Sequence, residues 1–491
     1  MLERKVFLYW AFVLLPLLLV GHAIFFVGFI ASDDALYVNQ VNQYLSGDLS
    51  PPETHWGFRY TVVVPLLIVA KIFGLSEFSL SVFSLIYIII LLVLFGAFVS
   101  REIGNKPAMY AGLLLVSMPL VVVQSSILNI DFPEALFLFA SMISFYYANE
   151  AREKSLSLFF LAGVLLGLAM LSRETAYGFL LILALYFLFG GYRHWKYYLA
   201  GLLGVFSIVC LEWLYYLLSG ESVLYRYFTI AHSHGTVGIK SGDFTAGSGN
   251  ISDSRLFAPW LALLVNQEFA LLFWVGAAAV FYLLKQKLWG NYCFLNYLAV
   301  FFVVYFLWIS YSGAIRPLPR YYTFLAILMT IPIGIVLSHL KSHLLKVLLI
   351  LLILGTSFGA MSVENLYPRF AARTIAEYAM RVDELVVTDP DSSRKAKGHV
   401  QFFKGNTHLV SDEIPQNQAF LYARVKGVSV DPGLRPYLNI ENRKTSFDPP
   451  KLLVGKILDL SGLATLLPHG LYQYLAIRNP GVIVYRIPAL D

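Results

Sequence analysis

Charge is what this 491-residue sequence lacks most. Asp, Glu, Lys and Arg together supply 13% of it, where soluble domains carry roughly 25%, and so low a share excludes an ordinary water-soluble globular chain. Cysteine is nearly missing too: Cys210 falls inside one apolar run and Cys293 at the start of another. Neither position suits a disulfide or a thiolate metal site. There is no basic stripe or arm. The net charge of +6 is dispersed between apolar runs, a pattern of membrane topology and not of nucleic-acid binding. No short-period repeat is visible. A small-residue cleavage pattern is also missing after "MLERK" and its long apolar run, so this segment reads as a retained first helix and not a signal peptide.

What is present is apolar: 58% hydrophobic residues, 16% aromatic and a mean hydropathy of +0.68. The apolar material falls in blocks long enough to cross a bilayer core of about 30 Å. The chain is therefore read as a polytopic integral membrane protein, mainly α. Eleven transmembrane helices are expected (up to thirteen), near 6–30, 79–99, 107–123, 131–148, 155–171, 175–190, 197–218, 262–284, 292–311, 320–338 and 343–361. A shorter run, 61–73, is interrupted by Pro65 and ends at Gly74; it is expected to be partly embedded within the first loop.

Lysine and arginine orient these helices. With the N-terminus in the cytoplasm, "MLERK", "REIGNK", "NEAREKS", "GYRHWK", "KQKLWGN" and "HLKSHLLK" all become cytoplasmic, and each holds at least two basic residues. This fits the positive-inside rule. Residues 31–78, 219–261 and everything beyond 361 then lie outside. The middle segment is rich in Gly, Ser and Asp and is expected to be mobile. From 362 to 491 the pattern changes: "DELVVTDP", "AFLYARV" and "GVIVYRI" read as strands and "TIAEYAM" as a helix. A small extracytoplasmic α/β domain is expected there, following a membrane module spanning 1–361. The expected location is the plasma (inner) membrane, with the site and the C-terminal domain extracytoplasmic.

Acids and arginines recur at the outer helix ends. The first loop holds Asp33, Asp34, His55 and Arg59; "NIDFPEALF" holds Asp131 and Glu134; "SRETA" holds Arg173 and Glu174; "IRPLPRYY" holds Arg316, Arg320 and Tyr321. Each has a plain structural reading beside the functional one. Asp33 and Asp131 would serve as helix N-caps, Arg173 and Glu174 as a loop ion pair, and Arg59 and Arg320 as snorkelling side chains. His232 and His234 lack further clear metal ligands, and no partner for Glu212 can be named from sequence. Taken together, the set suits a reaction between a lipid-linked phosphate and a hydroxyl group. A carboxylate would accept the hydroxyl proton, and arginines would stabilise charge on the departing phosphate.

"ASDDALY" resembles the D-[ED]-x-x-Y element of the GT-C glycosyltransferases. The branch it is most similar to contains the protein O-mannosyltransferases and the transferases that add aminoarabinose or galacturonic acid to lipid A. "HWGFRYTVVVPLLIVAKIFG", "ILNIDFPEALFLFASMISFYYA" and "RPLPRYYTFLAILMTIPIG" resemble further family stretches in the same order. The resemblance implies inverting transfer of one sugar from a polyprenyl-phosphate donor to a hydroxyl acceptor (glycolipid, glycan or protein). It makes Asp33 the general base, Asp34 the neighbouring acid and Asp131 a second acidic position. Arg320 and Tyr321 match the late R-Y element, and Arg173 falls where relatives often carry a basic residue. The family's His-Pro-Pro segment is replaced by "SPPETHWGFRY", with Pro51 and Pro52 preceding His55. No cofactor is expected to be required, although a divalent metal is not excluded. The rival readings are a lipid-linked-sugar transporter or flippase, which would place ionisable groups nearer the midplane in two related halves, and a non-catalytic receptor. A glycoside hydrolase would need two carboxylates roughly 5 to 9.5 Å apart.

Overall fold

A computed structural model describes residues 8–150, 155–189, 194–236, 257–312, 318–363, 369–416 and 418–489. The chain divides into two compact units. One comprises residues 1–26 and 40–358, the other residues 27–39 and 359–491.

The first unit is helical. Its elements begin with α1 (Trp10–Ile24), after which α2 (Asp33–Leu45) starts in the second unit and runs into this one. There follow α3 (Tyr60–Phe73), α4 (Glu77–Glu102), α5 (Asn105–Ser117), α6 (Pro119–Gln124), α7 (Asp131–Glu150) and α8 (Leu156–Ser172). A 3-10 turn (Glu174–Tyr177) leads into α9 (Gly178–Leu188), followed by α10 (Trp195–Leu218), α11 (Tyr225–Thr236), α12 (Ala258–Val265) and α13 (Leu272–Lys285). The last helices are α14 (Cys293–Tyr311), α15 (Thr323–His339) and α16 (His343–Val363). Each apolar run read from the sequence contains a helix, although the run expected at 6–30 is helical only as far as Ile24, and 61–73 is the body of α3. Two runs are broken: 107–123 divides at Pro119, which cannot donate a backbone N–H, and 262–284 divides around Ala270, whose φ is 48°. Among the described residues, five helices are long and apolar enough to cross a membrane and five more are shorter but apolar. The protein is an integral membrane protein.

Local sequence explains how these helices approach one another. Ser76 caps α4 through a reciprocal bond with Ser79. The crossing of α8 and α10 uses glycine: a Cβ on Gly163 would collide with the carbonyl oxygen of Gly201, and one on Gly204 with that of Phe160. Such small-residue contacts let membrane helices meet backbone to backbone. Beyond the crossing, Arg226 bridges Glu174, just after α8, to Glu212 on α10.

The second unit is a mixed five-stranded sheet in the order β2-β1-β3-β5-β4. Its strands are β1 (Val386–Val387), β2 (Val410–Ser411), β3 (Phe420–Val425), β4 (Arg443–Phe447) and β5 (Val482–Ile487). β1 runs parallel to β2 and β3, while β5 is antiparallel to both β3 and β4. Two helices, α17 (Phe370–Val382) and α18 (Pro390–Phe402), bury Ile375, Ala376, Ala379, Ala396 and Val400 against Val386, Leu421 and Val484. Leu434 covers the opposite face, over Tyr422 and Tyr485. The small C-terminal sheet is as the sequence pattern suggested.

Candidate active site

The two adjacent aspartates have different surroundings. The chain reaches them through a turn in which Gly28 (φ 76°) and Ala31 (φ 54°) are both left-handed. Asp34 closes that turn. Its Oδ2 accepts the Ile30 N–H at 2.7 Å, and its Oδ1 accepts those of Ser32 and Ala35 at 2.6 and 3.0 Å. Burial pushes the Asp34 carboxyl up to about 6, against the pull of those three donors and with a further push from Asp33. Asp34 is buried whereas Asp33 is half-buried. Asp34's oxygens are thus committed to the backbone, and Asp33 is the more accessible carboxylate.

In the helical unit, three stretches far apart in sequence meet. Asn129 accepts the Asp131 N–H at 2.6 Å and so starts α7. The Asp131 carboxylate pairs with Arg173, which follows α8, and both side chains are almost fully buried. The Arg173 guanidinium lies 3.6 Å above the centre of the Tyr321 ring, and Arg320 approaches the same ring at 5.8 Å. A buried arginine is tolerated only when its charge and its donors are matched, and here a carboxylate and an aromatic face do so. One turn further along α7, Glu134 accepts hydrogen bonds from Tyr305 at 2.8 Å and from Thr175.

Glu174 organises a second cluster. It lies 3.6 Å from Arg59 and 3.4 Å from Arg226. Arg226 also reaches Glu212 at 3.2 Å, and the Tyr216 hydroxyl donates to Glu212 at 2.6 Å. The side chains of Arg59, Arg226 and Glu212 are 6–7% exposed, while that of Glu174 is 37% exposed. Glu174 is thus the most exposed member of the cluster. At Glu212 lies an apolar cavity of about 370 Å³, lined by Tyr44, Tyr60, Leu67, Leu211, Glu212 and Tyr215.

Of the candidates read from sequence, Asp131, Arg173, Arg320 and Tyr321 come together, and Arg59 joins Glu174. His55 packs against Trp56, with ring centres 3.5 Å apart. Arg316 and the side chains of His232 and His234 lie outside the described residues. Sequence reading missed Thr175, Tyr305 and Arg226. Thr175 adjoins two residues already singled out, Tyr305 is hidden in an apolar run, and Arg226 falls in a stretch read as mobile although Tyr225–Thr236 is helical. Among the described residues, no group of three or more His, Cys, Asp or Glu side chains is placed to hold a metal.

Residues 63–216 match the sequence model of a family described as dolichyl-phosphate-mannose-protein mannosyltransferase. Two solved structures share the fold. ArnT from Cupriavidus metallidurans in the apo state is 13% identical; the match covers 81% of this chain and 72% of ArnT, with a TM-score of 0.51. The archaeal oligosaccharyltransferase AglB from Archaeoglobus fulgidus, solved with an inhibitory peptide and a dolichol-phosphate, is 12% identical, with coverage of 82% and 64% and a TM-score of 0.50. No curated protein sequence matches significantly. The fold is that of these polytopic GT-C membrane enzymes.

Proposed function

We propose that this chain transfers one sugar from a polyprenyl-phosphate donor to a hydroxyl acceptor at the extracytoplasmic face, with inversion at the anomeric carbon. The observation that carries this reading is the buried meeting of Asp131, Arg173 and Tyr321. It assembles acid, cation and aromatic from three separate motifs into one charge-matched centre. The donor class is supported by the family description, which names a dolichyl-phosphate sugar, by the dolichol-phosphate bound to AglB, and by the apolar cavity at Glu212, whose size suits part of a lipid chain.

In this mechanism the acceptor oxygen attacks the anomeric carbon as the carbon–oxygen bond to phosphate breaks. The hydroxyl proton passes to the Asp33 carboxylate, and the polyprenyl phosphate leaves with the bonding electrons. Arg59, Arg173 and Arg320 are the cations available to hold the donor and stabilise the charge growing on the leaving phosphate. Asp34 keeps the turn around Asp33 in shape, and Asp131 keeps Arg173 oriented. The acceptor is a glycolipid, a glycan or a protein.

The test is mass spectrometry of envelope glycolipids and glycoproteins from cells with the wild-type chain, without it, and with Asp33→Asn. The expected result is one sugar-sized increment, present with wild type and reduced at least a hundredfold with Asp33→Asn at normal expression. An undiminished increment in the variant would remove Asp33 from the chemistry.

A further inference from the structure

We infer that the C-terminal α/β unit is the clamp that positions the acidic pair, and that Gly398 and Phe402 of α18 are its positioning residues. The inference rests on the catalytic reading of Asp33 given above.

The turn carrying Asp33 and Asp34 belongs to the same compact unit as α17, α18 and the sheet, although more than three hundred residues of chain separate them. Its contacts there are specific. The Phe29 ring stacks on Phe402, with centres 4.1 Å apart and planes 11° from parallel, and meets His399 edge-on at 5.3 Å. Arg369 donates to the Phe29 carbonyl at 3.3 Å. Gly398 faces Ala31: a Cβ added at Gly398 would sit 3.0 Å from the Cβ of Ala31 and 3.8 Å from that of Ala35.

These contacts fall on the residues that shape the turn. Ala31 holds a left-handed φ that L-residues rarely adopt, and such a conformation persists only where the surroundings over-determine it. Asp34 draws in the N–H groups of Ile30, Ser32 and Ala35 from within the turn. From outside, α18 presses on Phe29 and Ala31.

His399 supports this account. Its ring is fully buried, and neither nitrogen has a hydrogen-bond partner. Burial, together with the charges of Arg373 and Arg369, holds it down at about 3. The ring is neutral and serves as an aromatic slab between Phe29 and Phe403. A polar side chain used only for its shape, at the point where the acidic segment docks, marks a contact surface and not a second reactive group.

The test is hydrogen–deuterium exchange on the full-length protein in lipid nanodiscs, comparing wild type, Phe402→Ala, Phe402→Tyr and Gly398→Leu. Peptides covering 27–39 are expected to exchange at least tenfold faster in Phe402→Ala and Gly398→Leu. Peptides covering β3 and β5 are expected to keep their rates, and Phe402→Tyr to retain slow exchange in 27–39. Unchanged exchange in 27–39, or an equal rise throughout the unit, would overturn the clamp. The same variants are assayed for the envelope sugar increment, which should fall at least tenfold in the two loosened chains and persist in Phe402→Tyr. Faster exchange with an undiminished increment would leave the clamp as a feature of the fold and refute the role of the acidic pair instead.

Discussion

At the scale of single residues, the acidic pair shows how neighbours with the same functional group acquire different work. Three backbone donors and near-complete burial commit Asp34 to the turn, while Asp33 stays half-buried. The raised Asp34 value has a thermodynamic consequence. Its folded-state value, about 6, lies above the ordinary 3.8, so the folded chain binds this proton more tightly than the unfolded chain does. The group's contribution to stability is therefore greatest below pH 3.8 and is lost as the pH rises through about 6. A shift of that size corresponds to roughly 3 kcal/mol. The melting-temperature advantage of wild type over Asp34→Asn, measured in nanodiscs, should accordingly be larger at pH 4.5 than at pH 7.5. Equal advantages at the two values would mean that this carboxyl titrates in the ordinary range.

At the scale of elements, the site depends on where helices cross. The α8–α10 contact is made by glycines, and it brings the residues after α8 to those on α10. Val at position 163 would force the two backbones apart, because the added atoms overlap the Gly201 carbonyl. Overpacking of this kind costs about 1–3 kcal/mol. Gly163→Val is expected to lower the melting temperature and to disturb the Arg226–Glu212 pair; an unaltered melting curve would show that the crossing has slack. Much of this level was legible in the sequence. Long apolar runs announce membrane helices because a bilayer leaves the backbone few alternatives, and Asp131 with Pro133 announces a helix start. The pairing was not legible. Asp131 and Arg173 were each visible, but their meeting depends on how α7 and α8 pack, which local pattern does not encode. Arg226 was hidden for a different reason: it precedes a long stretch rich in Gly, Ser and Asp, and its two carboxylate partners lie on other elements.

At the scale of the whole molecule, the sequence divides most naturally near residue 361, where the last apolar run gives way to strand patterns. The compact units divide differently, because residues 27–39 cluster with residues 359–491. The second unit is therefore discontinuous in sequence: thirteen residues from near the start of the chain complete the packing of a unit built mainly from its end. A hydrophobic ring such as Phe29, stacked on Phe402 and 1% exposed, leaves this environment only by exposing its own surface and that of its partner. Burying a Phe side chain is worth about 1.5–3 kcal/mol, and the Arg369 and Ala31 contacts act alongside it. Residues 364–368 belong to that same unit, so a chain break there should leave residues 369–491 held by residues 27–39. A protease site inserted there and cut after purification in nanodiscs is expected to leave the C-terminal fragment co-eluting with the helical portion in size exclusion. Phe402→Ala should weaken that retention, because it removes the stacked partner of the ring that tethers the two pieces. Complete separation of the wild-type fragments on cleavage would mean that residues 27–39 do not hold residues 369–491, and that only the peptide chain does.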